Sequence, residues 1–327
     1  MSVPQTSAAP ARAREVSFEQ RETRRVGRAV CYGHHGELFQ GQIEDMSGRR
    51  RRCLVSLPCV SLKTEVVIRP ARASGWRVMP PHKIKAQRAV ELTAAVLGAP
   101  DLGGTIAVSS NIAEGKGYGS STTDCVAAIR ATASAVGQQL SDSQVADLCV
   151  RAETASDNVM FDGVVLFAQR EGVVLEDYRR SFPQLEVIGI DTDPTRVVDT
   201  LVYPPAAYQW HHIQTFTTLV GALRRAFASG DLRLLGRIAT ASAIVNDEFL
   251  PKPMFSEILA LVSAHALLGV AAAHSGTLVS LLLDPRDPAL PRTIDAVLRA
   301  LHALGITEVS RFRTTHGGPM PMTRVAP

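Results

Sequence analysis

The chain has 327 residues, 46% of them hydrophobic and 20% charged, with a formal net charge of +4. The length exceeds the roughly 100–200 residues of a usual domain, so two domains are expected, and the apolar fraction excludes an intrinsically disordered chain. The small positive surplus permits an anionic small-molecule ligand but is not the basic stripe that nucleic-acid binding uses.

Residues 1–25 mix Ala, Pro, Ser and Gln with interleaved Arg and Glu and show no apolar period, as expected of a solvated arm. From Val26 the pattern turns β-like, over Val26 to Tyr32 and then Glu37 to Ile43, with Gly33 and Gly36 between them. Gly33-His34-His35-Gly36-Glu37 reads as a loop lining a substrate pocket. Metal ligation by the adjacent histidines is disfavoured because neighbours on a strand point to opposite faces. Ser47 to Arg52 reads as a hairpin tip with a solvated charge run, followed by strand-like Cys53 to Val60 and Leu62 to Ile68. A helix is predicted over His82 to Leu97 and a strand over Gly104 to Ser109.

Asn111 to Asp124 comes next: a strand pattern stops, Gly115, Gly117 and Gly119 follow at alternate positions, and a helix pattern begins. Such glycines let backbone approach a ligand, and Ser120, Ser121 and Thr122 then fall at a helix opening, whose amides and dipole favour an anion. A Gly-rich turn with a Ser cap is the other reading. The stretch is neither a Walker sequence nor a clean G-x-G-x-x-G. Lys116 either neutralises phosphate charge or faces solvent.

Ser141-Asp142-Ser143-Gln144 predicts a capping box opening a helix that ends in Glu153-Thr154-Ala155-Ser156-Asp157-Asn158. Taken alone, Asp157 and Asn158 read as a polar turn with Glu153 on the surface, although two carboxylates four apart would share a helical face. Short strands over Val164 to Ala168 and Gly172 to Leu175 finish a first domain, 26–180. In the second, 181–327, the order strand, helices, two strands, helix, strand is a split βαβ arrangement. Its hairpin turn Ala273-His274-Ser275-Gly276-Thr277 gathers small and polar residues on a sharp bend that can bring amides to a ligand.

The five cysteines include no C-x-x-C pair, and their odd number argues against a disulfide framework. No apolar run reaches the roughly 18 residues of a membrane span or forms a signal-peptide core, so a soluble, cytoplasmic protein is expected.

Gly115-Lys116-Gly117-Tyr118-Gly119-Ser120-Ser121-Thr122-Thr123-Asp124 resembles the central phosphate-binding motif of the GHMP kinases. Its form is most similar to that of the L-threonine kinases of cobalamin side-chain synthesis. Gly36-Glu37-Leu38-Phe39-Gln40-Gly41 and Ala273-His274-Ser275-Gly276-Thr277 resemble that branch's N-terminal and third motifs. Two departures stand out: His34-His35 replaces a Cys before Gly-Glu-Leu, and Glu153 to Asp157 is one residue longer than Glu-Pro-Thr-Asp and lacks the proline.

The resemblance implies an α+β, two-domain fold, with an N-terminal mixed-sheet domain bearing the phosphate loop and a C-terminal ferredoxin-like split βαβ domain. It implies a kinase that transfers phosphate from ATP to a small amino acid or related alcohol, L-threonine favoured. Serine, homoserine or another small alcohol are the other acceptors, and a nucleotide or metabolite sensor on the same fold is the non-catalytic alternative. Gly115, Gly117, Tyr118, Gly119, Ser120, Ser121 and Thr122, with Ser275 and Gly276, would bind ATP; Ser121 and Glu153 would hold Mg²⁺. Asp157, resembling the Asp of Asp-Asn steps in related kinases, would orient or deprotonate the acceptor, with Lys116 on the phosphates. His34, His35, Glu37, His274 and Thr277 would grip the acceptor. Neither a nucleic acid nor a membrane is an expected partner, and the assembly is expected to be a monomer or homodimer.

Overall fold

A computed structural model describes residues 25–45, 47–71, 75–197, 206–315 and 322–324. The arm expected over 1–25 therefore lies outside the described residues, apart from Arg25.

Strands β1 (Gly27–Glu44) and β2 (Arg50–Ala71) form a long antiparallel pair. Each replaces two predicted strands, so the expected loop at His34 and His35 is instead part of a strand. The ladder survives the polar residues because β1 shifts register at Tyr32/Gly33, His34/Glu37 and Glu37/Phe39. Bulges of this kind bend a strand and re-aim its side chains without ending the pairing. Gly36, at φ +71°, allows the sharpest of these turns, and a Cβ there would meet Ala273 N at 2.9 Å.

Strand β3 (Trp76–Met79) crosses over through α1 (Ile84–Val96) to pair in parallel with β4 (Gly103–Ser110), which lies antiparallel to β2. Helices α2 (Ser120–Ala135) and α3 (Asp142–Glu153) follow, then the hairpin β5 (Val165–Ala168) and β6 (Val173–Asp177) beside β2. The predicted capping box of α3 is present: Gln144 N donates to Ser141 Oγ at 3.3 Å and Ser141 N to Gln144 Oε1 at 2.9 Å. The second half runs β7 (Glu186–Asp191), α4 (Trp210–Ser229), α5 (Leu232–Asp247), α6 (Phe255–Ala264), β8 (Gly269–Ala272), β9 (Leu278–Leu283), α7 (Leu290–Ala303), β10 (Glu308–Arg313) and β11 (Met322–Arg324). Its neighbours β10-β7-β9-β8 are all antiparallel, the order of a ferredoxin-like split βαβ unit. One sheet joins the halves, in the order β11-β10-β7-β9-β8-β1-β2-β4-β3, through the pairing of Glu37 with Ala272.

Packing fixes where α2 points. Its Ala-rich sequence is buried on nearly every side from Ser120 to Ala135, between the sheet and helices α1 and α3. At Gly27 of β1 an added Cβ would lie 1.9 Å from Ala131 O, so helix and strand are in backbone contact. A helix held this closely cannot slide, and its N-terminus is presented at a fixed place beside β1. A second apolar core lies under α4 and α5, where the Phe39 and Phe216 rings meet edge to face at 6.0 Å. A third fills the C-terminal sheet against α6 and α7. All five cysteines are buried and outside any disulfide, and among the described residues no helix is long and apolar enough to cross a membrane.

Candidate active site

Gly115, Gly117 and Gly119 adopt φ of +69°, +102° and +74°, conformations that favour glycine. The loop they shape is pinned by three successive carbonyls: Lys116 O accepts from Thr277 N at 3.1 Å, Gly117 O from Gly36 N at 3.3 Å and Tyr118 O from His34 N at 3.2 Å. With these oxygens turned to the protein, the amides of the loop and of the first turn of α2 are the backbone groups left for a ligand. Gly115 and every residue from Gly117 to Thr122 line a cleft of about 860 Å³. That arrangement is an anion cradle, with the positive end of the α2 dipole at its base.

Asp157 lies across this cradle. Its Oδ2 is 2.9 Å from His34 Nε2, while His34 Nδ1 is 3.0 Å from Gly36 O. Both ring nitrogens face acceptor oxygens, which only a doubly protonated imidazole can satisfy beside an ionised carboxylate. Burial disfavours charge on His34, but Asp157 and then Glu37 outweigh it and raise its pKa. Burial likewise pushes Asp157 up, and the His34 charge overrides it and holds Asp157 below the usual carboxylate range. The chain of opposite charges continues through Glu37, whose Oε1 is 3.6 Å from His34 Nδ1 and 3.0 Å from His274 Nδ1. Glu37 Oε2 also accepts from His274 N at 2.8 Å.

Glu153, the last residue of α3, is buried beside the α2 opening. Thr122 Oγ1 donates to Glu153 Oε1 at 2.8 Å and lies 3.2 Å from Asp157 Oδ2, so one hydroxyl bridges the two carboxylates. Burial raises Glu153 to about 7; the Ser121 hydroxyl opposes this and the charge of Asp157 adds to it. Ser121 Oγ lies beside Glu153 but off normal hydrogen-bond geometry, and Ser120 Oγ is also buried without a partner. Thr154, between the carboxylates, has φ +76°, an unfavourable conformation for a β-branched residue.

The family described as GHMP kinases N terminal domain matches residues 84–164, which span α1, the cradle, Glu153 and Asp157. The chain is 35% identical over 190 residues to an L-threonine kinase of Citrobacter freundii, a match covering 55% of this chain and 62% of that protein's length. Among solved structures, a homoserine kinase from Cytophaga hutchinsonii superposes with TM-score 0.66 at 15% identity, over 91% of this chain and 97% of that one. MDDEF in complex with MVAPP, AMPPCP and magnesium gives TM-score 0.64 at 12% identity, over 92% and 100%. The fold is thus that of the GHMP kinases.

The glycine loop and its surroundings depart from expectation at Lys116, His35, Thr277, Gly276 and Glu37. Lys116, expected on the phosphates, turns away from the cleft. Its Nζ donates to the carbonyls of Asp193, Pro194 and Arg196 at 2.9, 2.7 and 2.7 Å and lies 3.1 Å from Asp191 Oδ2. Four acceptors satisfy the ammonium where it is, and it ties the loop to the second half of the chain. His35, expected on the acceptor, points to the opposite face of β1, with Nδ1 2.7 Å from Ser280 Oγ and its ring against Tyr118 and Phe312. Thr277 Oγ1 donates to Asp191 and its amide to Lys116 O, so it braces the loop and does not line the cleft. Gly276 also packs on the loop, since a Cβ there would lie 1.9 Å from Lys116 O. Of the other expected residues, His34, His274 and Ser275 line the cleft, while Glu37 acts from behind through the two histidines.

Lys83 escaped the sequence reading. At the start of α1 it reaches the cleft, with Nζ 2.7 Å from both Asp124 Oδ2 and Glu114 Oε1. Burial lowers its pKa, and these two carboxylates more than restore it, so the cation is kept beside the glycine loop. A signal was available: a helix opening with His82-Lys83-Ile84-Lys85 and no acid in its first turn places cations against the helix dipole, an arrangement that stability does not favour.

Proposed function

We propose that the chain is an ATP-dependent kinase that phosphorylates the hydroxyl of a small amino acid or related alcohol, with L-threonine the first acceptor to test. The observation that carries this reading is Asp157, held anionic by His34 and facing an anion cradle from across one cleft. The 35% identity to an L-threonine kinase supports the choice of acceptor.

On this reading the amides of Gly117 to Ser121 hold the triphosphate, and Lys83 adds positive charge at the loop. The acceptor oxygen forms a bond to the γ-phosphorus as the bond from that phosphorus to the β-bridging oxygen breaks, and ADP leaves. The proton of the acceptor hydroxyl passes to the Asp157 carboxylate. His34 makes Asp157 a weak base and an oriented one, which suits a loose transition state in which positioning matters more than early proton removal. Ser121 and Glu153 would hold Mg²⁺: a buried hydroxyl without a proper partner beside a carboxylate raised by burial is a hard oxygen pair lacking a counter-charge. The ion would supply charge neutralisation of the phosphate oxygens. The protein on this reading is cytoplasmic and works on small molecules.

The test is ADP release from ATP and Mg²⁺ with a panel of hydroxy amino acids and simple alcohols, the product identified by mass spectrometry. Acceptor-dependent ADP release with a phosphorylated product is expected. Nucleotide binding without any acceptor-dependent release would return the chain to the sensor reading.

A further inference from the structure

The charge run at the β1–β2 turn divides in two. Arg49 and Arg51 behave as a solvated tip does, pairing with Glu171 at 3.1 and 2.8 Å, and Arg51 also with Asp45 at 2.7 Å. Arg52 turns into the cleft instead. Its guanidinium lies 5.3 Å from the centre of the Tyr208 ring and donates to Ala206 O. Arg170 borders the same end of the cleft, and burial together with this second cation holds Arg52 below its ordinary pKa. Among the described residues no carboxylate lies within ion-pair distance of either arginine. A half-buried cation beside another cation, with a carbonyl and a ring but no carboxylate against it among the described residues, costs stability.

Independent of the arginines, the walls near them hold unpartnered acceptors. Gln169 is 6% exposed, and its Oε1 has no hydrogen-bond partner. Gln169 lines the cleft, as does Gln40, whose Nε2 is taken by Asn246 at 3.1 Å while its Oε1 is also unpartnered. Gln169 adjoins the catalytic side, since its carbonyl accepts from Ser156 N at 2.8 Å, one residue before Asp157.

We propose that this end of the cleft recognises the zwitterionic head of an α-amino acid: Arg52 takes the carboxylate, Arg170 supports it at the rim, and Gln169 Oε1 with Gln40 Oε1 takes the ammonium. The assignment of the hydroxyl to Asp157 rests on the kinase reading above. The span is suitable. Arg52 sits four residues along β2 from Ser56, whose amide is bonded by Asn158 Oδ1 next to Asp157. Four residues of strand cover about 13 Å, the reach of an arginine side chain plus a small hydroxy amino acid. Arginine is suited to the task because its fork matches a carboxylate in two parallel hydrogen bonds. Neutral alcohols of similar size are therefore poor ligands.

The test offers L-threonine, L-serine and their primary amides to the full chain and to Arg52→Gln and Arg52→Lys. ADP release is measured with ATP and Mg²⁺, and binding of L-threonine and L-threoninamide by calorimetry. The wild type is expected to prefer acid to amide by at least about tenfold in KM or Kd, the loss of one charge-assisted pair. Arg52→Gln is expected to erase that preference while leaving the KM for ATP within about twofold, and Arg52→Lys to keep a preference for the acid. Equal use of acid and amide by the wild type overturns the assignment and leaves the kinase reading standing. Arg52-dependent binding of L-threonine without ADP release overturns the kinase reading and leaves the assignment standing. Neither binding nor turnover of any of the four compounds overturns the assignment. If Arg52→Gln melts below the assay temperature, the wild-type ratio and Arg52→Lys decide the matter.

Discussion

The two faces of β1 at residues 34 and 35 place identical side chains in opposite states. Each histidine is 1% exposed. On the cleft face, Asp157 and Glu37 surround His34 and keep it charged. On the rear face His35 meets two hydroxyls, Ser280 and Ser310, and aromatic rings, and burial with no carboxylate in contact drives its pKa down to about 3. Burial alone removes charge from an imidazole; burial beside carboxylates retains it. The cleft face therefore retains charge and the rear face sheds it, although one bulged strand supplies both.

The sharpest way to break this contrast is through Asp157. Asp157→Asn is expected to lower kcat by about 10²–10⁴-fold, the range for a lost acid–base or orienting group, while the KM for ATP changes little. His34→Gln is expected to cost about 10²-fold in kcat, and combining it with Asp157→Asn should add little, because the two act as one unit. Steady-state kinetics on the three variants checks both. The same change at His35 should act on stability instead. His35→Gln is expected to lower unfolding free energy by about 1–3 kcal/mol, read from the urea midpoint, with turnover nearly unchanged. A His35 variant that folds well yet loses turnover would end the division between faces.

Acidity sharpens the same comparison. His35 has a depressed folded pKa, so the unfolded chain binds the extra proton, and its contribution to stability is lost as pH falls below about 6.5, the ordinary histidine value. His34 has a raised pKa, so its contribution is complete below that value and is lost as pH rises through the raised one. Asp157 has a lowered pKa, so its contribution is present at neutral pH and is lost as pH falls through the lowered one. Urea midpoints against pH should show an acid decline between pH 6.5 and 5 that His35→Gln removes and His34→Gln does not.

Smaller effects separate the lysines. Lys83→Met should raise the KM for ATP by about tenfold, whereas Lys116→Met should cost about 1–3 kcal/mol of stability and change the KM for ATP only slightly, since its ammonium serves carbonyls. Ser141→Ala, at the α3 cap, should cost about 1 kcal/mol and leave kinetics alone.

What was legible in the sequence follows from how local each signal is. The glycine alternation before α2, the Ser141 capping box and the strand-helix order of the second half are short-range patterns, and the fold keeps them. The role of His34 was not legible because Asp157 is far away in sequence, and the bulges that aim His34 at it leave no residue signature beyond glycines. Lys116 misled for a related reason. Lysine in a glycine loop signals phosphate, but the carbonyls that hold it belong to the backbone around Asp193 to Arg196, which any sequence could supply. The run at Arg49 to Arg52 looked uniform because charge patterning cannot tell which arginine the β2 pleat turns inward.

The three pinned carbonyls of the glycine loop bear on the order in which the molecule is made. Gly36 and His34, which hold two of them, emerge before the loop, but Thr277 and the carbonyls that cage Lys116 emerge long after it. A nascent chain ending near residue 180 can contain α2 and its opening amides, yet it lacks the partners of Lys116 O and Lys116 Nζ. The final shape of the glycine loop is thus a late event in synthesis, dependent on contacts between distant parts of the chain, which form slowly. An isolated N-terminal segment carries the recognisable motif without the means to shape it.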